Sequence, residues 1–291
     1  MSANTSSSVR RSTIFQYLIM RPPSSLTTGP AGSTVRSRRS RMSRKIHHEK
    51  AGTRGLMTCF VHGSGGSQGV WVRQMAGLAD VARVVALDLP GHGESDGDGV
   101  GTIDQAADAV RQVLDELGVA RAVVGGHSMG GAIALAFALA NPDRLAGLVL
   151  VGTGARLRVL PKILETLERD YAEGVRLVVE LAVAGDASPG LKDTLVRETL
   201  LNPRPAMLGD LRACDAFDVM ARLGEIRTPT LVVCGEGDRL TPTKYARYLR
   251  DRIPGARLVI VPGAGHYVQL EKPDETTAAI REFLLQGGVT G

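Results

Sequence analysis

Cysteine is scarce in this 291-residue chain, tryptophan occurs once, and aromatic residues make up only 4%. Cys59, Cys214 and Cys234 show no CxxC spacing and no even-numbered framework, which excludes a disulfide-built scaffold. Cys59 and Cys234 sit in apolar, strand-like runs, where a reduced buried thiol is the default, so a reducing, cytoplasmic compartment is expected. No apolar run reaches the roughly 18 residues that a membrane span needs. The most apolar stretch, Ala132 to Ala140, is short and rich in alanine. Acid is missing from the start of the chain: residues 1–50 hold ten Lys and Arg against Glu49 alone. The other 241 residues carry 25 basic and 29 acidic side chains, so the body is mildly acidic and offers nothing to a nucleic acid.

The acid-poor, Ser/Arg-rich composition of residues 1–44 cannot bury enough apolar surface to offset ordering, and disorder is expected there. It fits an organellar transit peptide, or a start assigned too far upstream with the working protein beginning near Met42. A secretory signal fits poorly, because "IFQYLIM" runs into Arg21 and Pro22. A nucleic-acid arm lacks aromatic interleaving.

From Leu56 onward short apolar runs alternate with segments of helical period, the pattern of an α/β fold with a parallel sheet. "LMTCFVHG", "ARVVALDLPGHG", "ARAVVGG", "LAGLVLVGT", "TPTLVVCGEGD" and "ARLVIVPGAGH" read as strands. Helices are expected over 68–79, over 102–118 with Thr102 as cap and Gly118 as stop, over 128–140, and over 273–285. Between about 155 and 222 the strand rhythm is lost. Four helices are expected there, over 159–171, 174–184, 191–201 and 205–223, as a lid on the sheet.

In "AVVGGHSMGG" a strand meets a helix at Gly126-His127-Ser128-Met129-Gly130, a G-x-S-x-G turn. So sharp a reversal strains Ser128 and projects its hydroxyl, and side chains at 126 or 130 would strike neighbouring backbone. The motif is weak alone, and a capping serine at a glycine-rich helix start is the bland alternative. The strand before it and the small-residue helix after it supply the context. Met129 N–H, at the helix N-terminus, can bind a developing oxyanion.

A serine needs a base, and the base an orienting acid. Asp238 follows one late strand and His266 the next, both at the sheet edge that carries Ser128. Upstream, "VHGSGG" brings backbone close to a substrate, and Ser64 N–H is the expected second oxyanion donor, with Gly65 next. His62 is expected to bond within its own loop. Asp88 and His92 look like a second dyad, yet their turn setting favours a structural role. Gly65, Trp71, His127 and Tyr267 are pocket candidates, with Trp71 either core or wall. Tyr171 and Phe217 are expected to pack rather than to recognise substrate.

Together "HGSGG", "DLPGHGES", "GHSMGG", "GEGDRLTP" and "GAGHYVQLEKP" resemble the α/β-hydrolase superfamily with a helical cap, over roughly residues 45–287. The resemblance implies a mostly parallel eight-stranded sheet with helices on both faces, a core of 45–154 and 224–291, and a cap of 155–223. It also implies Ser128, Asp238 and His266 as triad, and Met129 and Ser64 amides as oxyanion hole, with no metal and no cofactor. Such proteins usually open with a hairpin. "KIHHEKAG" can give one of its strands, whereas "VRSRRSRM" is a poor candidate for the other. Serine at 128 argues against dehalogenases and epoxide hydrolases, which carry Asp there. "GHSMGG" and the short cap are similar to 3-oxoadipate enol-lactonases and small carboxylesterases. The expected function is hydrolysis of small to medium carboxylic esters or lactones. The alternatives are a slowly turning ligand-binding or signalling protein, and an acyltransferase or perhydrolase using the same residues.

Overall fold

The computed structural model describes residues 45–286; the expectations for residues 1–44, including "VRSRRSRM", lie outside the described residues. Seven strands form one sheet: β1 (His48–Ala51), β2 (Met57–Val61), β3 (Arg83–Leu87), β4 (Ala122–His127), β5 (Leu145–Val151), β6 (Thr230–Gly235) and β7 (Arg257–Val261). Their order is β1-β3-β2-β4-β5-β6-β7, and only β1 runs antiparallel to its neighbour. The expected eight strands are therefore seven among the described residues. "KIHHEKAG" does supply a strand, His48–Ala51, paired from His48↔Leu87 to Ala51↔Val84 on β3, and no strand among the described residues precedes it.

The central strands are buried along their whole length, which is why they read as unbroken apolar runs rather than as alternation. Helices α1 (Val72–Leu78), α2 (Ile103–Glu116) and α3 (Met129–Ala140) follow β2, β3 and β4 in turn. Thr102 caps α2 by accepting the Gln105 N–H at 3.1 Å, and Gly118, at φ +64°, closes its end, as the sequence leads one to expect. Residues 68–71 wind as a 3-10 turn ahead of α1.

Between β5 and β6 stand α4 (Pro161–Arg169), α5 (Tyr171–Ala182), α6 (Pro189–Leu200) and α7 (Arg204–Ala216). Ile163, Leu167, Val175, Met207, Leu208 and Leu211 give these helices a small core of their own. The fourth ends earlier than its period suggests. At Phe217 the backbone turns extended, Asp218 bridges to Arg156, and Val219 N–H reaches Ala155 O at 2.8 Å, returning the chain to the sheet. After β6 come α8 (Thr243–Arg252), a short α9 (Val268–Glu271) that the sequence pattern does not reveal, and α10 (Pro273–Leu285). Two larger apolar clusters lie on opposite faces of the sheet, one with α2, α3 and α8, the other with α1 and α10. No helix among the described residues is long and apolar enough to cross a membrane.

The strand order turns back on itself at β2. Chain continues from β2 to β3 on one side, and β4 is laid down on the other. The loops leaving the C-terminal ends of β2 and β4 thus diverge, and a crevice opens between them.

Candidate active site

Ser128 ends β4 and starts α3 with φ 54° and ψ −117°, and it is the one non-glycine residue among those described with a positive φ. Such a backbone costs about 1–3 kcal/mol and persists only where its surroundings impose it. They do so here. A Cβ on Gly126 would lie 2.1 Å from the Gly130 carbonyl, and one on Gly130 would lie 2.3 Å from Val61 O. Ser128 N–H donates to Val151 O at 2.9 Å, and Thr153 Oγ1 donates to Ser128 O at 2.7 Å, so the turn is tied to the end of β5 and to the loop that follows it.

The other two sequence candidates are brought together. His266 Nδ1 lies 2.9 Å from Asp238 Oδ2, with both side chains nearly sealed from solvent. Asp238 is saturated: Oδ1 accepts Leu240 N–H at 2.9 Å and Thr241 N–H at 2.8 Å, and Oδ2 also accepts Thr241 Oγ1–H at 2.7 Å. Burial would raise this carboxyl, but His266 and the bonds from His266 and Thr241 outweigh it and hold its pKa at about 2. A lasting anion at Asp238 keeps the proton of the imidazole on Nδ1 and leaves Nε2 as the basic atom. The His266 loop is braced from the inserted helices, since His266 N–H donates to Ala182 O at 2.6 Å. Glu271 Oε2 accepts the N–H groups of Gly265 at 3.0 Å and Ala184 at 2.8 Å.

His127 lies beneath this pair. Its Nε2–H donates to His266 O at 3.0 Å, and its ring lies 4.7 Å from that of His266 and 4.9 Å from that of Tyr267. Burial first, and His266 second, push the pKa of His127 well below its ordinary value, so it is a neutral spacer. Ser128 Oγ makes no hydrogen bond among the described residues. Contacts of this kind often close only when substrate is bound.

The loop after β2 is a tight turn in which Gly66 N–H donates to Gly63 O at 3.1 Å. His62 bonds within it as expected: Nδ1–H donates to Gly63 O at 2.8 Å, and Nε2 accepts Leu89 N–H at 3.0 Å. Burial and the neighbouring His92 lower its pKa to about 4, so it stays neutral. Neither Ser64 N–H nor Met129 N–H has an acceptor among the described residues. Gly65 N–H, by contrast, donates to Asp210 Oδ2 at 2.9 Å, which removes it as the reserve oxyanion donor. Asp88 and His92 are not partners. Asp88 accepts the N–H groups of Gln68 and Glu94 and binds His47, while His92 turns to Asp210.

A cavity of about 300 Å³ joins these parts. Ser64, His127, Ser128, His266 and Tyr267 line it from the sheet side, and Leu157, Ile163, Val178, Met207, Leu211 and Cys214 from the inserted segment. Two pocket candidates are corrected. Trp71 is fully buried and stacks on Phe60 at 4.5 Å between centroids, so it belongs to the core below the sheet. Gly65 faces Met207 and Thr199 of the inserted helices and does not line the cavity. Tyr171, half-buried, donates to Asn202 O at 2.9 Å and lies outside the cavity, whereas Phe217 is buried in the core.

Sequence reasoning missed Asp210, Asn202, Thr241 and Glu271. Asp210 carries a usable signal: with Ala206, Met207, Leu211, Ala213 and Cys214 it falls on the apolar stripe of α7, where a lone carboxylate needs a reason. No group of three or more His, Cys, Asp or Glu among the described residues could hold a metal ion.

Comparison with known proteins follows the same lines. The family model described as the alpha/beta hydrolase family matches residues 60–280. The pimeloyl-[acyl-carrier protein] methyl ester esterase of Nitrosomonas europaea is 30% identical over 79% of this chain and 96% of its own. The 2-hydroxy-6-oxononadienedioate/2-hydroxy-6-oxononatrienedioate hydrolase of Burkholderia vietnamiensis is 32% identical over 82% of this chain and 91% of its own. Among solved structures, the enol-lactonase from Burkholderia xenovorans superposes with a TM-score of 0.79 at 26% identity, covering 84% of this chain and 97% of the other.

Proposed function

The chain belongs to the alpha/beta hydrolase family, and we propose that within it this protein is a serine hydrolase of small to medium carboxylic esters or lactones. The observation that carries the reading is the shared cavity. Ser128, held strained at the end of β4, and His266, bonded through Nδ1 to Asp238, open onto the same apolar-walled space. The relatives are hydrolases of an ester, a dienedioate and an enol-lactone, which supports hydrolysis in general and an acyl substrate in particular.

In this reading His266 Nε2 takes the proton of Ser128 as Oγ attacks the carbonyl carbon. The oxyanion that forms is met by the N–H groups of Met129 and Ser64, both without acceptors among the described residues. His266 then passes its proton to the leaving alcohol or enol, leaving an acyl-Ser128. Water, deprotonated by the same nitrogen, attacks the acyl carbon and releases the acid. Asp238 fixes the tautomer throughout. The inserted helices, residues 155–223, act as a cap whose apolar wall receives the acyl chain. Three buried, unpaired cysteines support a reducing, cytoplasmic setting.

The test is a set of initial rates on p-nitrophenyl esters from C2 to C12, several lactones and a 2-hydroxy-6-oxo-dienoate, with Ser128→Ala in parallel. Turnover that disappears in Ser128→Ala supports the proposal and assigns the substrate class. Turnover that survives in Ser128→Ala overturns it.

A further inference from the structure

We propose that Asp210 and His92 are positioning residues: a second buried carboxylate–imidazole pair that never meets substrate and aims the Ser64 N–H by clamping the Gly63–Gly66 turn to the inserted helices. The inference rests on the reading of Ser64 N–H as an oxyanion donor.

The geometry leads there peptide by peptide. In a trans peptide the C=O and N–H point in opposite directions, so whatever fixes one fixes the other. The peptide between Gly63 and Ser64 is fixed through Gly63 O, which accepts from His62 Nδ1 and Gly66 N. The next peptide, between Ser64 and Gly65, is fixed through Gly65 N–H, held by Asp210 Oδ2 at 2.9 Å. Gly65 O is taken in turn by Asn202 Nδ2–H at 2.7 Å. Both planes that flank Ser64 are therefore anchored, one from β2 and one from the inserted segment. Gly65 itself sits at φ +63°, and a Cβ there would strike Met207 Sδ at 2.5 Å. The turn and α7 touch without room to slide.

His92 completes the clamp. Its Nε2 lies 2.9 Å from the same Asp210 Oδ2, and its Nδ1 lies 3.1 Å from Pro90 O. Both ring nitrogens face acceptors, which only the imidazolium can satisfy on both sides. Both side chains are fully buried, and the other carboxylate oxygen, Oδ1, has no hydrogen-bond partner among the described residues. A space that needed only filling would be filled more stably by apolar side chains of the same volume. What the carboxylate adds is a directional acceptor for one backbone N–H. Asp210 also stands on the helix whose Met207, Leu211 and Cys214 wall the cavity, so the element that feels the acyl chain is the one that holds the oxyanion turn.

Wild type is first shown to turn over an ester in a Ser128-dependent manner; absence of that turnover would defeat the hydrolase reading itself. Against that baseline, Asp210→Asn, Asp210→Leu and the double variant His92→Leu/Asp210→Leu are compared by kcat, KM and thermal unfolding. Asp210→Asn keeps an acceptor for Gly65 N–H and is expected to hold kcat within about fivefold. Asp210→Leu is expected to lose about 10- to 100-fold in kcat with KM within about twofold, less than the ~100- to 1,000-fold of deleting an oxyanion donor outright. Should Asp210→Leu strand His92 and fail to fold, the double variant leaves no unpaired charge and retains a Tm near wild type. It is expected to show the same loss in kcat. A folded double variant with wild-type kcat overturns the proposal. So does Asp210→Asn falling as far as Asp210→Leu.

Discussion

Gly130 occupies the side-chain space of Gly126: a Cβ on Gly126 would stand 2.1 Å from both the carbonyl carbon and oxygen of Gly130. No rotamer relieves a clash with backbone, so Gly126→Ala forces the turn open. We expect it to lower stability by about 3 kcal/mol or more and to remove activity together with the fold of the turn. Ser128→Gly has the opposite signature. It releases the strained φ of 54°, so urea unfolding should show a gain of about 1 kcal/mol while turnover disappears. A Ser128→Gly variant less stable than wild type would mean that the turn stores no strain.

Asp238→Asn separates orientation from architecture. The amide fits the same space but favours the other tautomer of His266, and kcat is expected to fall by about 10⁴ with KM little changed. Stability against acid gives a second reading. The folded pKa of about 2 lies below the unfolded 3.8, so the folded carboxylate contributes stability above the unfolded value, and this is lost as pH falls through the folded one. The contribution is about 2 kcal/mol. Urea midpoints measured from pH 5 down to pH 2 should fall more steeply in wild type than in Asp238→Asn. Parallel curves would mean that Asp238 is not held as an anion by its neighbours.

The three loops that carry Ser128, Asp238 and His266 could be placed from sequence because each follows a continuous apolar strand, and strand ends in a doubly wound sheet share one edge. The four inserted helices were legible as elements for a similar reason: a long stretch with no strand-like run. What they touch was not. Asp210 meets Gly65 across 145 residues of chain, and no periodicity encodes so distant a pairing. Trp71 stayed ambiguous because a large aromatic suits a core or a pocket wall equally, and only the stack on Phe60 decides. Phe217 breaks a helix whose period continues, because its ring is drawn into the core.

Burial of Trp71 yields a prediction that opposes the pocket expectation. Trp71→Ala should destabilise the protein by about 3–5 kcal/mol. Trp71→Phe should recover most of that, and the folded variant should keep the wild-type ranking of ester chain lengths. A changed chain-length optimum in Trp71→Phe would return Trp71 to the pocket wall.

The charges around the cavity bear on which esters suit it. Arg158, Arg239 and Lys244 line it, and no Asp or Glu does. None of the three forms an ion pair among the described residues. Arg158 Nη1 donates to Asp215 O at 3.0 Å, Arg239 Nη2 donates to Val183 O at 3.3 Å, and Lys244 Nζ lies 5.8 Å from the Tyr245 ring centroid. Arg239 Nη2 also donates to Glu180 O, while the Glu180 carboxylate is itself paired with Lys192 at 2.9 Å, and its pKa is lowered by Lys192 first and by the charge of Arg239 after it. A substrate with a negative charge on its acyl chain would therefore meet cations in the lining with no lining carboxylate to offset them. The p-nitrophenyl hemiester of glutaric acid should exceed p-nitrophenyl butyrate in kcat/KM by about tenfold at low salt, or ~1.4 kcal/mol. The advantage should shrink as ionic strength rises and the Debye length falls below about 10 Å. Arg239→Gln combined with Lys244→Gln should reduce the preference and leave the rate on the butyrate ester near wild type. A preference for the neutral ester at every salt concentration would show that the cations face solvent rather than substrate.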